Sequence, residues 1–181
     1  MTPFLIVVSG APASGKTTMA TELSRRIGMP LFYRDWFKEH LFDSLGIGNR
    51  DWSRQLGSAS YELLYGAADR LLSRGVSVII ESNFRPRAAE ILMQLAAQHQ
   101  AEIREVFCTA DPAVIYERFE ARARGDRHPG HIDLVNLESL QKDLASGAFQ
   151  PLFPTAIVVD TTDFSTINYE ELTRKINDDQ L

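Results

Sequence analysis

The chain has 181 residues, of which 44% are hydrophobic and 24% charged, a profile that indicates one globular domain rather than a disordered segment. Its 19 basic and 24 acidic side chains give a net charge of −5, which disfavours a nucleic-acid partner. The net charge does not exclude a local basic patch on the surface. The single cysteine, Cys108, favours a reducing, cytoplasmic location. No signal peptide and no apolar run of about 20 residues is present, so we expect no membrane partner.

Short apolar runs alternate with longer amphipathic patterns along the chain. Strands are predicted at residues 4–9, 30–33, 76–80, 103–108 and 156–159. Helices are predicted at residues 16–27, 35–45, 53–73, 86–98, 111–124, 133–146 and 165–178. This alternation indicates an α/β fold, in which helices cover both faces of a parallel sheet. Ligands in such folds bind at the carboxyl ends of the strands, so we expect the site beside residues 9–17, 34–35, 81–85, 109–111 and 160–161.

Residues 10–17 read GAPASGKT and match the phosphate-binding pattern G-x-x-x-x-G-K-[ST]. The motif follows an apolar strand and opens a helix, as phosphate binding requires, because backbone N–H groups and the helix N-terminus then face the anion. Lys16 is expected to reach the β- and γ-phosphates, and the Thr17 hydroxyl to ligate Mg²⁺. We therefore predict that a nucleoside triphosphate and Mg²⁺ are bound by Gly10, Ala11, Pro12, Ala13, Ser14, Gly15, Lys16, Thr17 and Thr18.

Several classes of protein share this phosphate loop (residues 10–17), and other sequence features separate them. A GTPase would need N-K-x-D to read guanine, and an ABC transporter would need LSGGQ; neither string occurs. Residues 43–46 spell D-x-x-G, but they follow a helical pattern, so we interpret them as a chance match. Hexameric ATPases need a longer chain. A small kinase remains.

Four segments resemble the small P-loop kinases, namely GAPASGKTT at 10–18, RDWFKE at 34–39, VIIESNFRPR at 78–87 and ERFEARARGDRHPGH at 117–131. That group includes gluconate and shikimate kinases, chloramphenicol phosphotransferase, zeta-toxin-like kinases and the kinase domain of phage polynucleotide kinase. Within it, the chain is most similar to the predicted kinases called "AAA domain". The resemblance implies a three-layer fold with a five-stranded parallel sheet of order 2-3-1-4-5, ATP as phosphate donor, and a mobile lid.

Two carboxylates follow or end predicted strands at the expected site. Asp35 is placed to accept the proton of an alcohol, and the resemblance implies the same role; alternatively, Asp35 only caps the following helix. Glu81 can hold a magnesium-bound water or orient the substrate, and in relatives the matching residue does Walker-B-like work. We predict Thr17 and Glu81 as metal ligands. The predicted contacts to the acceptor are Asp35, Lys38, Glu81, Asn83, Arg85 and Arg127.

Arginines are concentrated around residues 118–127, where the resemblance places the lid, at about residues 125–133. Arg118 and Arg122 are four residues apart and are predicted to share a helix face and to contact the nucleotide. Arg122 is the first choice for the γ-phosphate and is predicted to be catalytic, with Lys16 and Asp35. The alternative is a solvated basic helix end. A zinc site at His128 and His131 is disfavoured, because zinc usually needs three or four ligands.

These features predict a single kinase domain, residues 1–181, that transfers the γ-phosphate of Mg-ATP to a hydroxyl group of a small molecule. Two alternatives stay open: a kinase of a nucleic-acid end or nucleotide-linked sugar, and a non-catalytic nucleotide-binding switch. We also expect Lys16 to face solvent without ligand, so that its removal would change the stability of the free protein little. The acceptor and the oligomeric state are left open.

Overall fold

Five parallel strands form the central sheet of the computed structural model, which describes residues 2–125, 127–131 and 137–177. The strands are β1 (Phe4–Gly10), β2 (Leu31–Tyr33), β3 (Val78–Glu81), β4 (Glu102–Thr109) and β5 (Ile157–Asp160). Their order is β2-β3-β1-β4-β5, which confirms the predicted order. Val8 of β1 pairs with Glu81 of β3 and Val106 of β4, so the carboxyl ends of the strands meet at one edge.

Helices connect and cover the strands on both faces of the sheet. They are α1 (Lys16–Ile27), α2 (Arg34–Leu45), α3 (Arg50–Leu72), α4 (Ala88–Gln98), α5 (Pro112–Arg124), α6 (Leu137–Ala145) and α7 (Tyr169–Asn177). The first part of the helix predicted at 133–146, residues 133–136, lies outside the described residues. The α/β architecture predicted from the alternation is confirmed.

Two predicted helix boundaries are wrong because local capping decides them. Helix α3 begins at residue 50 rather than 53, since the Asn49 side chain accepts a hydrogen bond from the Trp52 N–H and caps the helix. The last helix was expected from residue 165. Instead, Phe164–Thr166 form a 3₁₀ turn, and α7 begins only after Asn168, whose side chain accepts a backbone hydrogen bond from its first turn.

The core lies on both faces of β1, whose alternate side chains enter two separate clusters. Leu5 and Val7 pack with apolar residues of α3 and α4, whereas Ile6 and Val8 pack with α1 and α7. All four β1 side chains have no exposed surface, and each contributes about 1.5–3 kcal/mol by burial. This packing fixes the end of β1, from which the phosphate loop leaves.

A smaller cluster holds the helices that flank the site. Ile115 and Phe119 of α5 pack with Leu140 of α6, together with Ala11 from the phosphate loop. This cluster sets the position of α5, and therefore of the arginines on it, relative to the loop.

Among the described residues, none of the helices combines the length and the apolar composition that a membrane crossing requires.

Candidate active site

The phosphate loop connects the end of β1 to the start of α1 through left-handed backbone conformations. Ala13 and Gly15 have φ angles of 61° and 80°. A Cβ atom on Gly15 would lie 2.5 Å from the Phe164 ring, so glycine is required there by space as well as by conformation. No side chain caps the start of α1, so the first N–H groups of this helix are left for an anion.

Lys16 is buried beside the loop, and the expectation that it faces solvent is wrong. Lys16 is 7% exposed, and its ammonium group donates a 2.7 Å hydrogen bond to the Ala11 carbonyl. Nζ lies 4.0 Å from a carboxylate oxygen of Glu81. Burial lowers the pKa of Lys16, and the negative charge of Glu81 opposes this shift. Lys16 is buried because the first turn of α1 packs against the end of β3, which the local sequence does not reveal.

Glu81 ends β3 and faces the phosphate loop. Its carboxylate accepts a 2.8 Å hydrogen bond from the Thr17 hydroxyl. Burial raises the pKa of Glu81, while Lys16 and Thr17 favour its ionised form. A hydroxyl and a carboxylate oxygen beside a phosphate loop are the hard donors that Mg²⁺ takes, and Mg²⁺ typically needs only one or two protein ligands next to phosphates. The residues therefore fit a magnesium ion.

The burial of Lys16 leads to a prediction for Lys16→Ala. Removing the ammonium leaves the Glu81 carboxylate buried without its cation, which typically destabilises a protein by about 3–5 kcal/mol. We expect the melting temperature of the free protein to fall by about 6 °C or more, and the stabilisation by Mg-ATP to disappear. Thermal denaturation with and without Mg-ATP measures both effects.

A double variant separates the two effects. Lys16→Ala with Glu81→Gln should recover part of the lost melting temperature without recovering the response to Mg-ATP. An unchanged melting temperature in Lys16→Ala would show that the buried pair contributes no stability. Stabilisation by Mg-ATP equal to that of the native protein would show that the loop does not bind the nucleotide through Lys16.

Asp35 lies in the first turn of α2 and is held by an ion pair with Arg127. The helix begins at Arg34, so Asp35 is not its cap. Oδ2 of Asp35 accepts a 2.8 Å hydrogen bond from Arg127, and Oδ1 lies 3.5 Å from Arg34. Burial acts to raise the pKa of Asp35, but Arg127, with His131 and Arg34, outweighs it and holds the pKa below its usual range. The carboxylate is therefore ionised, and its side chain is 38% exposed.

A polar cavity of about 330 Å³ joins these groups at the carboxyl edge of the sheet. It brings together the predicted catalytic side chains Lys16, Asp35 and Arg122. The predicted metal ligands also line it, as do the predicted acceptor contacts Lys38, Glu81, Asn83, Arg85 and Arg127. The site predicted from separate segments of the chain is thus one continuous space.

Arg118 and Arg122 differ in their surroundings although they share one helix. Arg122 lines the cavity. Arg118 donates hydrogen bonds of 2.9 and 3.0 Å to the carbonyls of Thr161 and Thr162, and its guanidinium lies over the Phe164 ring. Because Phe164 in turn packs on Gly15, Arg118 holds the segment after β5 against the phosphate loop. Arg118 lies outside the cavity.

Residues 127–131, which make up most of the described part of the predicted lid, are attached to α2. His131 forms a 2.9 Å contact with Glu39, and the His128 ring stacks on Phe42 at a centroid distance of 5.7 Å. Gly130 lies so close to Phe42 that a Cβ atom would overlap the ring. Residues 126 and 132–133 of the predicted lid lie outside the described residues. No group of three or more His, Cys, Asp or Glu side chains suited to a metal occurs in the described part of the chain.

Several cavity residues were not predicted from the sequence. They are Phe119, Ser139, Leu140, Asp143 and Phe149. The other lining residues belong to predicted segments: Pro12 to the phosphate loop, Arg34 and Ser82 to the strand ends at 34–35 and 81–85, and His131 to the lid. The residues of α6 reach the cavity through the packing of Leu140, and no local motif marks them. Arg85 pairs with Asp143 at 3.0 Å and lies over the Phe149 ring, so the predicted acceptor contact also anchors α6.

Comparison with known proteins gives the family. The family model described as "AAA domain" matches residues 5–146. A presumed kinase from Chloroflexus aurantiacus J-10-fl is similar over 96% of both chains, with 36% identity and a TM-score of 0.86. A gluconokinase from Sinorhizobium meliloti 1021 shares 21% identity over 96% of this chain and 89% of its own, with a TM-score of 0.56. Kti12 from Chaetomium thermophilum, solved with ADP-AlF3, shares 22% identity over 95% and 94%, with a TM-score of 0.61. A search of curated proteins finds no significant match.

Proposed function

Because this chain belongs to the AAA domain family of P-loop kinase-like proteins, we propose that it transfers the γ-phosphate of Mg-ATP to a hydroxyl group of a small molecule. The observation that carries the proposal is the cavity in which Lys16, Asp35 and Arg122 meet. A cation for the phosphates, a carboxylate for the hydroxyl proton and a second cation for the transferring group are the parts that phosphoryl transfer needs. A nucleotide-binding switch would not need the carboxylate.

Each of these side chains has a defined part in the proposed reaction. Asp35 orients the acceptor hydroxyl and takes its proton while the hydroxyl oxygen bonds to the γ-phosphorus. Lys16 balances the negative charge that moves to the β-phosphate as the bond to the bridging oxygen breaks. Arg122 stabilises the charge on the oxygens of the transferring group. Since the pKa of Asp35 is lowered, its carboxylate is ionised and able to accept the proton.

Thr17 and Glu81 would hold Mg²⁺, with Thr17 as a direct ligand and Glu81 through bound water. A magnesium ion there supplies positive charge to the β- and γ-phosphates. In the free protein, the hydrogen bond from Thr17 to Glu81 holds the hydroxyl oxygen of Thr17 and the carboxylate of Glu81 side by side, next to the phosphate loop.

Arg127 links the proposed lid to the proposed base. It contacts Asp35 at 2.8 Å and Glu39 at 3.7 Å, so residues 127–131 are attached to the helix that carries Asp35. We propose that residues 125–133 form a lid that excludes water when ATP and acceptor are bound. We also propose that the chain acts as one kinase domain in the cytoplasm.

A panel of acceptors tests the proposed function. Polyols, sugars, sugar acids, nucleosides and their phosphorylated derivatives are added with Mg-ATP, and ADP release is measured against the rate without acceptor. We expect at least one acceptor to raise ADP release about 100-fold or more, because a bound hydroxyl replaces water in the cavity. A rate that stays at the background for every class would argue against a small-molecule kinase.

A further inference from the structure

A second cavity of about 380 Å³ lies between α2 and α3, beside the candidate active site. Five of its lining residues are basic, and the lining described by the structure contains no acidic side chain. We call these five residues the basic groove: Arg34, Lys38, Arg50, Arg54 and Arg87. On a chain with a net charge of −5, this concentration of positive charge is unusual.

The basic groove adjoins the active-site cavity. Arg34 and Lys38 line both spaces, and Arg34 precedes the proposed base, Asp35, on the same helix turn. A molecule whose hydroxyl lies at Asp35 can therefore extend its remaining atoms past Arg34 and Lys38 towards the basic groove. ATP occupies the phosphate loop under the proposed function, so the groove is available to the acceptor.

Two residues of the groove are held in place by the surrounding structure. Arg34 is largely buried, its guanidinium lies 4.7 Å from the centre of the Tyr61 ring, and a Cβ atom on Gly57 would come within 2.8 Å of it. Its buried Nε has no hydrogen-bond partner among the described residues. Lys38 donates a 3.1 Å hydrogen bond to Ser53 of α3. These contacts fix the positions of Arg34 and Lys38 at the wall of the groove.

Among the described residues, two carboxylates lie within ion-pair distance of the arginines of the groove. Arg34 is 3.5 Å from Asp35, which is shared with Arg127, and Arg54 is 3.4 Å from Asp51. Two carboxylates beside four arginines leave a positive excess that suits a phosphate dianion better than a neutral group. Arginine binds phosphate oxygens with paired N–H groups.

We infer that the acceptor is a phosphorylated small molecule, whose phosphate is held by the basic groove while its free hydroxyl lies at Asp35. This inference rests on the proposed function and names its substrate class. A nucleic-acid strand fits less well. The single aromatic ring that lines the groove, Tyr61, is covered by Arg34, which leaves no free ring face there for stacking bases.

Matched pairs of acceptors test the inference. Ribose is compared with ribose 5-phosphate, and glycerol with glycerol 3-phosphate, as acceptors for the native protein with Mg-ATP. For at least one pair, we expect kcat/KM for the phosphorylated member to exceed that for the neutral member about 100-fold, from two charge-assisted contacts. The advantage should shrink at high ionic strength, because salt screens the exposed arginines.

Substitution of two exposed groove residues localises the effect. Arg54→Gln with Arg87→Gln should raise KM for the phosphorylated member about tenfold or more and leave the neutral member unchanged. Arg70→Gln removes the same charge from an exposed position of α3 outside the groove and should leave both unchanged. Ribose 5-phosphate or glycerol 3-phosphate is also titrated into the native protein and into the double variant, each saturated with Mg-ADP so that no phosphate transfer occurs. The double variant should bind the phosphorylated compound about tenfold more weakly than the native protein.

The outcomes separate the inference from the proposed function. Equal use of neutral and phosphorylated acceptors would overturn the inference and leave the kinase proposal standing. Activity on a 5′-hydroxyl oligonucleotide, with none on phosphorylated small molecules, would overturn it in favour of a nucleic-acid end. Phosphate-dependent binding that the groove substitutions abolish, without transfer to any acceptor, would support the groove as an anion site and contradict the kinase proposal alone.

Discussion

Asp35→Asn is expected to lower the turnover of phosphotransfer about 10²- to 10⁴-fold while the affinity for ATP stays within about threefold of the native value. The amide keeps the size of the side chain but cannot take the hydroxyl proton. Asp35 lies in the cavity on the side of α2, whereas the phosphate loop is formed by residues 10–17, so nucleotide binding is not expected to depend on it. Turnover is measured with the best acceptor, and ATP affinity by titration calorimetry.

The ion pair with Arg127 requires a separate control, because Asp35→Asn also removes it. Arg127→Gln breaks the pair but keeps the carboxylate, so it should cost less turnover than Asp35→Asn. The native pKa of Asp35 is lowered mainly by Arg127 against an opposing effect of burial. Without Arg127 that pKa rises, so the acidic limb of the kcat/KM profile should move to higher pH. Full activity of Asp35→Asn would show that Asp35 is not the base.

Arg122→Ala is expected to lower turnover about 10³-fold, because an arginine that stabilises the transferring phosphate contributes about 10³- to 10⁵-fold to the rate. ATP affinity should fall much less, since Lys16 and the loop N–H groups bind the ground state. Arg122 lines the same cavity as Lys16 and Asp35, where we expect the γ-phosphate to lie. Single-turnover kinetics separate the chemical step from nucleotide binding.

Two arginines of the same helix serve as controls for Arg122. Arg124 is exposed and pairs with Glu120 at 2.6 Å, so Arg124→Ala should retain near-native turnover. Arg118 holds the carbonyls of Thr161 and Thr162, so Arg118→Ala should weaken nucleotide binding or stability more than it lowers turnover. A parallel loss of ATP affinity and turnover in Arg122→Ala would assign it to binding alone.

The fold was predictable because its signals are local in sequence. Strands β1, β2, β3 and β5 are short and mainly apolar, and the phosphate loop lies directly between the first strand and the first helix. Alternation of strands and helices then leaves few arrangements, because crossovers between parallel strands are right-handed. The strand order came from the resemblance to P-loop kinases, and the structure confirms it.

The interactions inside the site were less predictable, because they join residues that are distant in sequence. Arg127 and Asp35 are 92 positions apart, and the local sequence around either residue does not identify the other as its ion-pair partner. Lys16 is buried because β3 brings Glu81 beside it. Glu81 also accepts the hydrogen bond of Thr17, which is 64 positions away in the sequence. The basic groove could not be predicted from composition. A net charge of −5 is a sum over the whole chain and does not show that arginines are concentrated between α2 and α3.

Phosphorus NMR of the native protein with Mg-ATP and the best acceptor of the panel tests the central claim most directly. The claim predicts a new phosphomonoester signal that grows in step with ADP, with little inorganic phosphate, and its near absence in Asp35→Asn. Release of inorganic phosphate in step with ADP, without a phosphomonoester for any acceptor, would contradict the claim and indicate a nucleotide-hydrolysing switch.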